Sequence, residues 1–375
     1  MKSKKQDLKY WVGFSLIPGI GPVRFSQLLK YFGDLAKAWA AGPAELKQAG
    51  LDSSAIQSIT ISRPKISLEE EMEKLDRCEV KAITSHDPDY PARLKEIYDF
   101  PPVLYIKGSL LPQDEWCIAV VGTRRATVYG RQVTEEITAD LVRNKITIAS
   151  GLARGIDTVA HRSALEAGGR TLAIFGCGLD TVYPAENSEM ARRITSQGAL
   201  VSEYPLGTKP RPENFPRRNR ILSGLSLGVL VVEAGETSGA MITAHLALEQ
   251  NRDVFAIPGS VLSPASIGTN KLIQAGAKLV RDYRDILEEL NLTAVACQIE
   301  MRELLPSCET EALLFQKLSA EPLHIDEVCR SSGLPISVVS STLAMMELKG
   351  LIKQMGAMNY SLARDARETY RVKLD

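Results

Sequence analysis

Five cations fall within the twelve residues from Lys209 to Arg220: Lys209, Arg211, Arg217, Arg218 and Arg220, with Phe215, Asn214 and Asn219 among them. A planar guanidinium grips phosphate oxygens two at a time and stacks on flat rings, which an ammonium cannot do. Several arginines around one aromatic therefore suit a charged track with a stacking platform. A solvated basic loop or an ion-pair network inside an oligomer would use the same residue types. More cations stand in glycine loops elsewhere. Arg124 and Arg125 follow Gly122-Thr123, and Arg154 lies in Gly151-Leu152-Ala153-Arg154-Gly155.

A second candidate is Gly235-Glu236-Thr237-Ser238-Gly239, placed between a strand-like run and a helix-like segment from Ala240. Free amides and the positive end of a helix meet an anion at such a junction. The loop lacks the Lys-Ser/Thr ending of a P-loop, and no GxGxxG occurs. The second strand-like run ends in Ser150-Gly151 rather than an acid that would read a ribose. ATP hydrolysis and nicotinamide chemistry both lose support, and no cofactor is expected.

For catalysis, Asp157 and His161 stand four apart, a spacing that could orient an imidazole. The commoner arrangement is an acid at a helix start and a histidine filling a boundary position. Glu203, Glu233 and Glu236 offer a base without an evident partner, so no catalytic residue is assigned. The six cysteines, at 78, 117, 177, 297, 308 and 329, form no CxxC pair, which argues against a metal site.

Five apolar runs deliver these loops: 118–121, 147–150, 172–175, 228–232 and 253–257, each ending in a glycine-containing loop. Continuous apolar runs alternating with helix-length segments predict a parallel sheet buried on both faces. Val133, Ile137 and Leu141 mark one crossover helix, and 199–202 supplies a weaker strand. The C-terminal ends of parallel strands share one rim, so the five loops meet there. That rim gathers glycines, helix starts and arginines, and suits phosphates.

The expected organisation is a helical domain over 1–75, an α/β core over 76–292, a linker over 293–308 and a winged helix-turn-helix over 309–365. In the first, Ile17-Pro18-Gly19-Ile20-Gly21-Pro22 reads as a helix-hairpin-helix or SAM-like turn, or equally as a packing turn. In the last, three short helices precede a hairpin at Gly356. The winged helix carries six acids against three bases from 309 to 350, so little DNA affinity is expected of it. Lys plus Arg and Asp plus Glu are both 45, so any basic site is local. The apolar stretch 11–17 is too short for a signal peptide and is broken by Pro18-Gly19, and nothing reaches membrane-spanning length. A cytoplasmic protein without membrane contact is expected.

In order and spacing these loops resemble the DprA/Smf family of DNA-processing proteins. The matching stretches are Val121-Gly122-Thr123-Arg124, Ser150-Gly151-Leu152-Ala153-Arg154-Gly155-Ile156-Asp157, Gly176-Cys177-Gly178-Leu179-Asp180 and Tyr183-Pro184. They continue with Ser202-Glu203-Tyr204-Pro205, Asn214-Phe215-Pro216, Arg218-Asn219-Arg220-Ile221, Ser238-Gly239, Pro258-Gly259-Ser260 and Gly268-Thr269-Asn270. The resemblance implies an extended Rossmann-like fold that dimerises and binds single-stranded DNA. It also implies protection of incoming strands in natural transformation and loading of the RecA recombinase, with single-strand-binding protein as a further partner. Carried over by motif, Arg124, Phe215, Arg217, Arg218 and Arg220 would grip the strand, while Gly151, Arg154, Ser238 and Gly239 would line an adjacent anion pocket. For the dimer, the apolar residues Leu272, Ile273, Leu279 and Val280 would meet a second copy, unless Ile286, Leu287 and Leu290 fold back over them. The alternative is a nucleotide-processing enzyme of the lysine-decarboxylase-like, cytokinin-activating type. Its Pro-Gly-Gly-x-Gly-Thr loop is absent, since the comparable stretch here reads Glu233-Ala234-Gly235-Glu236-Thr237-Ser238-Gly239.

Overall fold

The computed structural model describes residues 2–292, 309–319, 321–348, 352–356 and 358–362. The chain forms two compact units, Met1–Leu290 and Asn291–Asp375. The expected linker 293–308 and the end of the chain from 363 lie outside the described residues.

Six helices open the first unit: α1 (Lys2–Ser15), α2 (Pro22–Phe32), α3 (Leu35–Ala40), α4 (Pro43–Gln48), α5 (Ser53–Ser62) and α6 (Leu68–Arg77). Their starts follow the chain's punctuation. Pro22 and Pro43 occupy first-turn positions, and the Asp34 and Asp52 carboxylates accept backbone N–H groups of the turns they open. At the hairpin-like turn, Arg24 donates to the Gly19 carbonyl and pairs with Asp52 at 2.5 Å. The turn's own cation is thus engaged.

These helices do not form a separate core. Trp11, Phe14, Leu28, Leu46 and Ile59 pack in one cluster with Val103, Tyr105, Phe175 and Leu200 of the sheet. The Ser15 and Tyr105 hydroxyls meet at 2.6 Å inside that contact. No break in packing occurs near residue 75, and the first unit runs on to Leu290.

The sheet and its helices follow: β1 (Lys81–Thr84), β2 (Val103–Gly108), β3 (Cys117–Val121), α7 (Val128–Arg143), β4 (Thr147–Ser150), α8 (Ile156–Glu166), β5 (Thr171–Phe175), α9 (Ser188–Gln197) and β6 (Gly198–Ser202). Then come α10 (Asn214–Leu225), β7 (Gly228–Val231), α11 (Gly239–Glu249), β8 (Asp253–Ala256), α12 (Ile267–Gln274), β9 (Lys278–Leu279) and α13 (Tyr283–Glu289). The nine strands lie in the order β1-β2-β6-β5-β4-β3-β7-β8-β9. All are parallel from β6 to β9, whereas β2 runs antiparallel to both β1 and β6. The central strands are buried along their whole length, as a sheet covered on both faces requires. Helices α8 and α9 join the N-terminal helices over one face, while α10, α11 and Leu272 of α12 cover the other.

At the β9 end the covering arrangement holds for part of the apolar stretch. Leu272 and Val280 are buried, as are Ile286 and Leu287 of α13, and Lys278 ties β9 to Glu289 of that helix at 2.8 Å. Leu279 remains 39% exposed, and Ile273 is half-buried.

The second unit contains α14 (Glu309–Lys317), β10 (Leu323–His324), α15 (Ile325–Ser332), α16 (Ile336–Leu348), β11 (Ile352–Gln354) and β12 (Asn359–Leu362). Its three-stranded sheet, ordered β10-β12-β11, and three helices make a winged helix around Leu314, Phe315, Val328, Leu343, Met346 and Ile352. Gly333 ends α15 with φ of 69°, a left-handed position that suits glycine. Among the described residues no helix is long and apolar enough to cross a membrane.

Candidate nucleic-acid interface

Strand order reverses at β3. The chain fills one side with β4, β5 and β6, then crosses to β7 on the other. In open α/β sheets the crevice beyond such a point holds ligands. A cavity of about 450 Å³ lies there, lined by Val121 and Gly122 at the end of β3, Ala153 and Asp157 after β4, and Ser238, Gly239 and Thr243 at α11. Arg124, Tyr183, Phe215, Arg218 and Asn219 complete its wall.

Backbone stitching fixes this rim. Thr123 N–H donates to the Glu233 carbonyl at 2.7 Å, and Ile156 N–H donates to the Thr123 carbonyl at 3.2 Å. A side chain at Gly122 would meet Ile156 and the Glu233 carbonyl, so close approach of β3, β7 and α8 requires glycine there. The Glu233 carboxylate is spent on the start of α7, accepting from Thr127 N–H at 3.0 Å and the Thr127 hydroxyl at 2.5 Å. It complements the helix dipole and fixes Thr127, whose hydroxyl caps the helix by accepting from Gly130 N–H at 3.1 Å.

The basic stretch is not an open track. From Asn214 onward it is α10, with Pro216 in the first turn, where a missing N–H costs nothing. The helical turn of about 100° per residue then sends three close arginines in different directions. Arg217 is exposed and makes no close ion pair among the described residues, though its charge reaches Glu203. Arg218 is 5% exposed and donates from Nη1 to the carbonyls of Gly151, at 2.8 Å, and Ile174. Arg220 is held by Asp99 at 2.9 Å and Glu203 at 2.5 Å. Arg218 and Arg220 are thus anchored in the fold, although Arg218 still lines the cavity and Arg220 Nη1 has no hydrogen-bond partner among the described residues. Phe215 lies at the cavity, Asn214 is buried beneath it, and Asn219 accepts from Arg218 Nε at 3.2 Å.

Arg218 supports the floor of the cavity together with Asp157. Asp157 Oδ2 accepts from Gly151 N–H at 3.1 Å and Ala153 N–H at 3.3 Å. A side chain at Gly151 would run into both the Arg218 guanidinium and the Asp157 carboxylate. Burial pushes the Asp157 carboxyl up to about 6, with the Arg218 charge opposing the rise. The Asp157–His161 pair does not form. His161 Nδ1 lies 2.7 Å from the Thr171 hydroxyl, whose proton goes to the Ile148 carbonyl at 2.8 Å, so the ring is the donor. Burial drives His161 down to about 3, leaving it neutral in the core.

The other expected cations differ in availability. Arg124, Arg125, Lys209 and Arg211 are exposed and carry no ion pair among the described residues. Arg154 is exposed but bidentate to Glu186, at 2.7 Å through both Nε and Nη2. Ser238 caps α11, its hydroxyl accepting from Ala240 N–H at 3.3 Å. Glu236 pairs with Lys271 and is exposed. Among the described residues no group of His, Cys, Asp or Glu could hold a metal ion.

One wall residue escaped the sequence reading of the site. The Tyr183 ring lies 5.3 Å from that of Phe215, tilted by 32°, and is half-exposed. The two residues are 32 positions apart, and only the fold brings them together. The rim thus offers an aromatic pair, the unpaired Arg124 in the same wall and the start of α11 at Ser238 and Gly239, a set suited to a phosphodiester strand.

Known proteins share this sequence and fold. Residues 81–291 match the family model of DNA recombination-mediator protein A, and residues 302–358 match the DprA winged helix domain. Protein Smf of Synechocystis is 35% identical, covering 94% of this chain and 98% of its own length. Protein Smf of Escherichia coli is 40% identical, covering 82% and 84%. The crystal structure of DNA processing protein A from Streptococcus pneumoniae superposes with a TM-score of 0.65 at 36% identity, over 75% of this chain and 96% of that one. The Helicobacter pylori protein, whose structure describes a single-stranded DNA binding mode, gives 0.52 at 30% identity over 56% and 95%. On the match of both domains and the near full-length relatives, the chain belongs to the DNA recombination-mediator protein A family, that of the DprA and Smf proteins.

Proposed function

We propose that this protein binds single-stranded DNA along the rim of its α/β core and delivers the strand to a recombinase of the RecA type during transformation. The observation that carries the reading is the cavity at the strand-order reversal, whose wall holds the Tyr183–Phe215 ring pair and Arg124. Arg124, Arg125, Lys209, Arg211 and Arg217 neutralise phosphates, the aromatic pair receives bases, and Ser238 and Gly239 form the far wall, with Gly151 buried behind the floor where Asp157 and Arg218 hold it. Arg218 and Asp157 hold that floor in place. Arg154 joins only by giving up Glu186. The single-stranded DNA binding mode of the H. pylori relative supports the choice of ligand.

The reading needs no catalytic step. The acids weighed as catalytic candidates are engaged: Asp157 with Gly151 and Ala153, Glu233 with Thr127, Glu203 with Arg220 and Glu236 with Lys271. A second copy meeting at Leu279 and Ile273, beside the two-residue edge strand β9, would join two such tracks. Single-strand-binding protein, which coats the same ligand, is the further partner this reading allows.

An electrophoretic shift with single-stranded and duplex DNA at two salt concentrations tests the proposal. Tighter binding of the single strand, weakened by salt and by Arg124→Ala, is expected. Equal affinity for both forms, unmoved by Arg124→Ala, would refute it.

A further inference from the structure

The same rim carries a feature that the cavity does not use. The loop 257–266 leaves β8 and returns as α12, and it is braced throughout. Gly259 N–H donates to Asn270 Oδ1 at 3.2 Å, and Asn270 Nδ2 donates back to the Gly259 carbonyl at 3.0 Å. Ser263 N–H reaches the Ser260 carbonyl at 3.0 Å, and Leu262 N–H reaches the Ser260 hydroxyl at 3.3 Å. This braced tip presents Val261 and Leu262, which are 85% and 89% exposed. Tyr129 lies alongside, its hydroxyl donating to the Pro258 carbonyl at 2.8 Å and its ring half-exposed.

Contiguous exposed apolar side chains on a rigid support mark a contact surface. The surrounding charge indicates what it contacts. Arg124, Arg125 and Arg131, on the loop and helix that carry Tyr129, are all exposed and without an acidic partner among the described residues. The loops after β3 and β8 stand two strands apart, about 10 Å at the usual strand spacing. A chain of phosphates and flat bases spans that gap, its charge met by the arginines and its bases by the apolar tip.

We infer that Tyr129, Val261 and Leu262 form a second base platform for nucleotides leaving the cavity past Arg124 and Arg125. The inference rests on the single-strand reading of the cavity and extends the strand's path toward β8. Aromatic rings receive base faces with little regard to sequence, and aliphatic side chains wedge against base steps.

The test uses the full chain and oligothymidylates of about 6 and about 20 nucleotides, the range over which single-strand sites of this size fill. The double variant Val261→Ser, Leu262→Ser should weaken the longer probe about tenfold and leave the shorter one unchanged, with no change in salt dependence. Phe215→Ala should weaken both probes. Unchanged long-probe affinity in the double variant overturns the platform. Phe215→Ala without effect on the short probe overturns the cavity reading instead, so the two failures are distinct. A drop in sedimentation coefficient of the DNA-free double variant would show that the tip joins two protein copies, and would also overturn the platform.

Discussion

The rings of Tyr183 and Phe215 face each other at 5.3 Å with a tilt of 32°, one from the loop after β5 and the other from the first turn of α10. A base sandwiched between two rings needs about 3.4 Å on each side, roughly 7 Å in all. The pair is too close for that, so the two rings act as one platform and meet bases on their outer faces. Phe215→Ala should weaken single-strand binding by about 1–3 kcal/mol with the salt slope unchanged, because stacking releases no counterions. Adding Tyr183→Ala should cost less than in the wild-type background, since each ring supports the other. Fluorescence anisotropy at two salt concentrations reads both effects, and additive losses would deny the shared platform.

The cations divide into free and committed sets, and salt dependence separates them. Arg124→Ala and Arg217→Ala should each flatten the slope of log K against log salt by about 0.7, the value for one single-strand phosphate contact. Arg154→Ala should change it less, because Glu186 already neutralises that side chain. Titrations between about 50 and 200 mM salt make the comparison. A wild-type slope in Arg217→Ala would remove that residue from the contact set.

Arg218 is expected to matter to the fold before it matters to DNA. Arg218→Met leaves the Asp157 carboxylate buried without its counter-charge, at a cost of about 3–5 kcal/mol in urea unfolding. Adding Asp157→Asn should recover part of that loss. A change below about 1 kcal/mol in the single variant would show that the pair carries no structural load.

Asp157 and His161 pull stability in opposite directions with pH, one helical turn apart. The His161 ring is held down to about 3, so its contribution is present above its ordinary value near 6.5 and is lost as pH falls toward 3. The Asp157 carboxyl is raised to about 6, so its contribution is present below its ordinary value near 3.8 and is lost as pH rises through 6. Between about pH 4 and 6 the two partly cancel. His161→Gln removes the rising component, so its stability relative to wild type should improve as pH falls through this window. Chemical denaturation at several pH values measures the difference, and a constant offset would contradict the assignment.

Removing the winged helix should spare DNA binding. The exposed face of α16 presents Ser337, Ser340 and Ser341 but no cation, and its one charge is Glu347. A chain ending after Leu292 should hold single-stranded DNA within a few-fold of the full protein, since affinity without sequence preference follows phosphate neutralisation. A hundredfold loss from a truncated chain that remains folded would show that shape outweighs charge.

The parallel strands were legible because burial on both faces writes an unbroken apolar run, as in Cys117–Val121. Strand β1 left no such mark, and the apolar run 103–106 of β2 gave no sign of its antiparallel direction. Lys81–Thr84 is a short half-exposed edge, and the antiparallel pairing of β2 with β6 joins residues about a hundred apart. The cationic stretch was visible, but its partition was not. Pro216 suggests a loop when read alone, and only a helix explains why Arg217 is free while Arg218 and Arg220 are engaged. Glycines 122 and 151 pointed to the rim correctly, because close backbone approach is a local demand that only one residue type meets.

The shared cluster beneath α1 sets the order in which a nascent chain can fold. Trp11 and Phe14 leave the ribosome early, yet Leu200 and Leu206, which share their buried cluster, are synthesised about 190 residues later. At about 5–20 residues per second the helical segment waits on the order of 10–40 s with aromatic surface uncovered. Translation therefore leaves that aromatic surface uncovered longest where it is slowest, an interval that a self-contained N-terminal module would avoid.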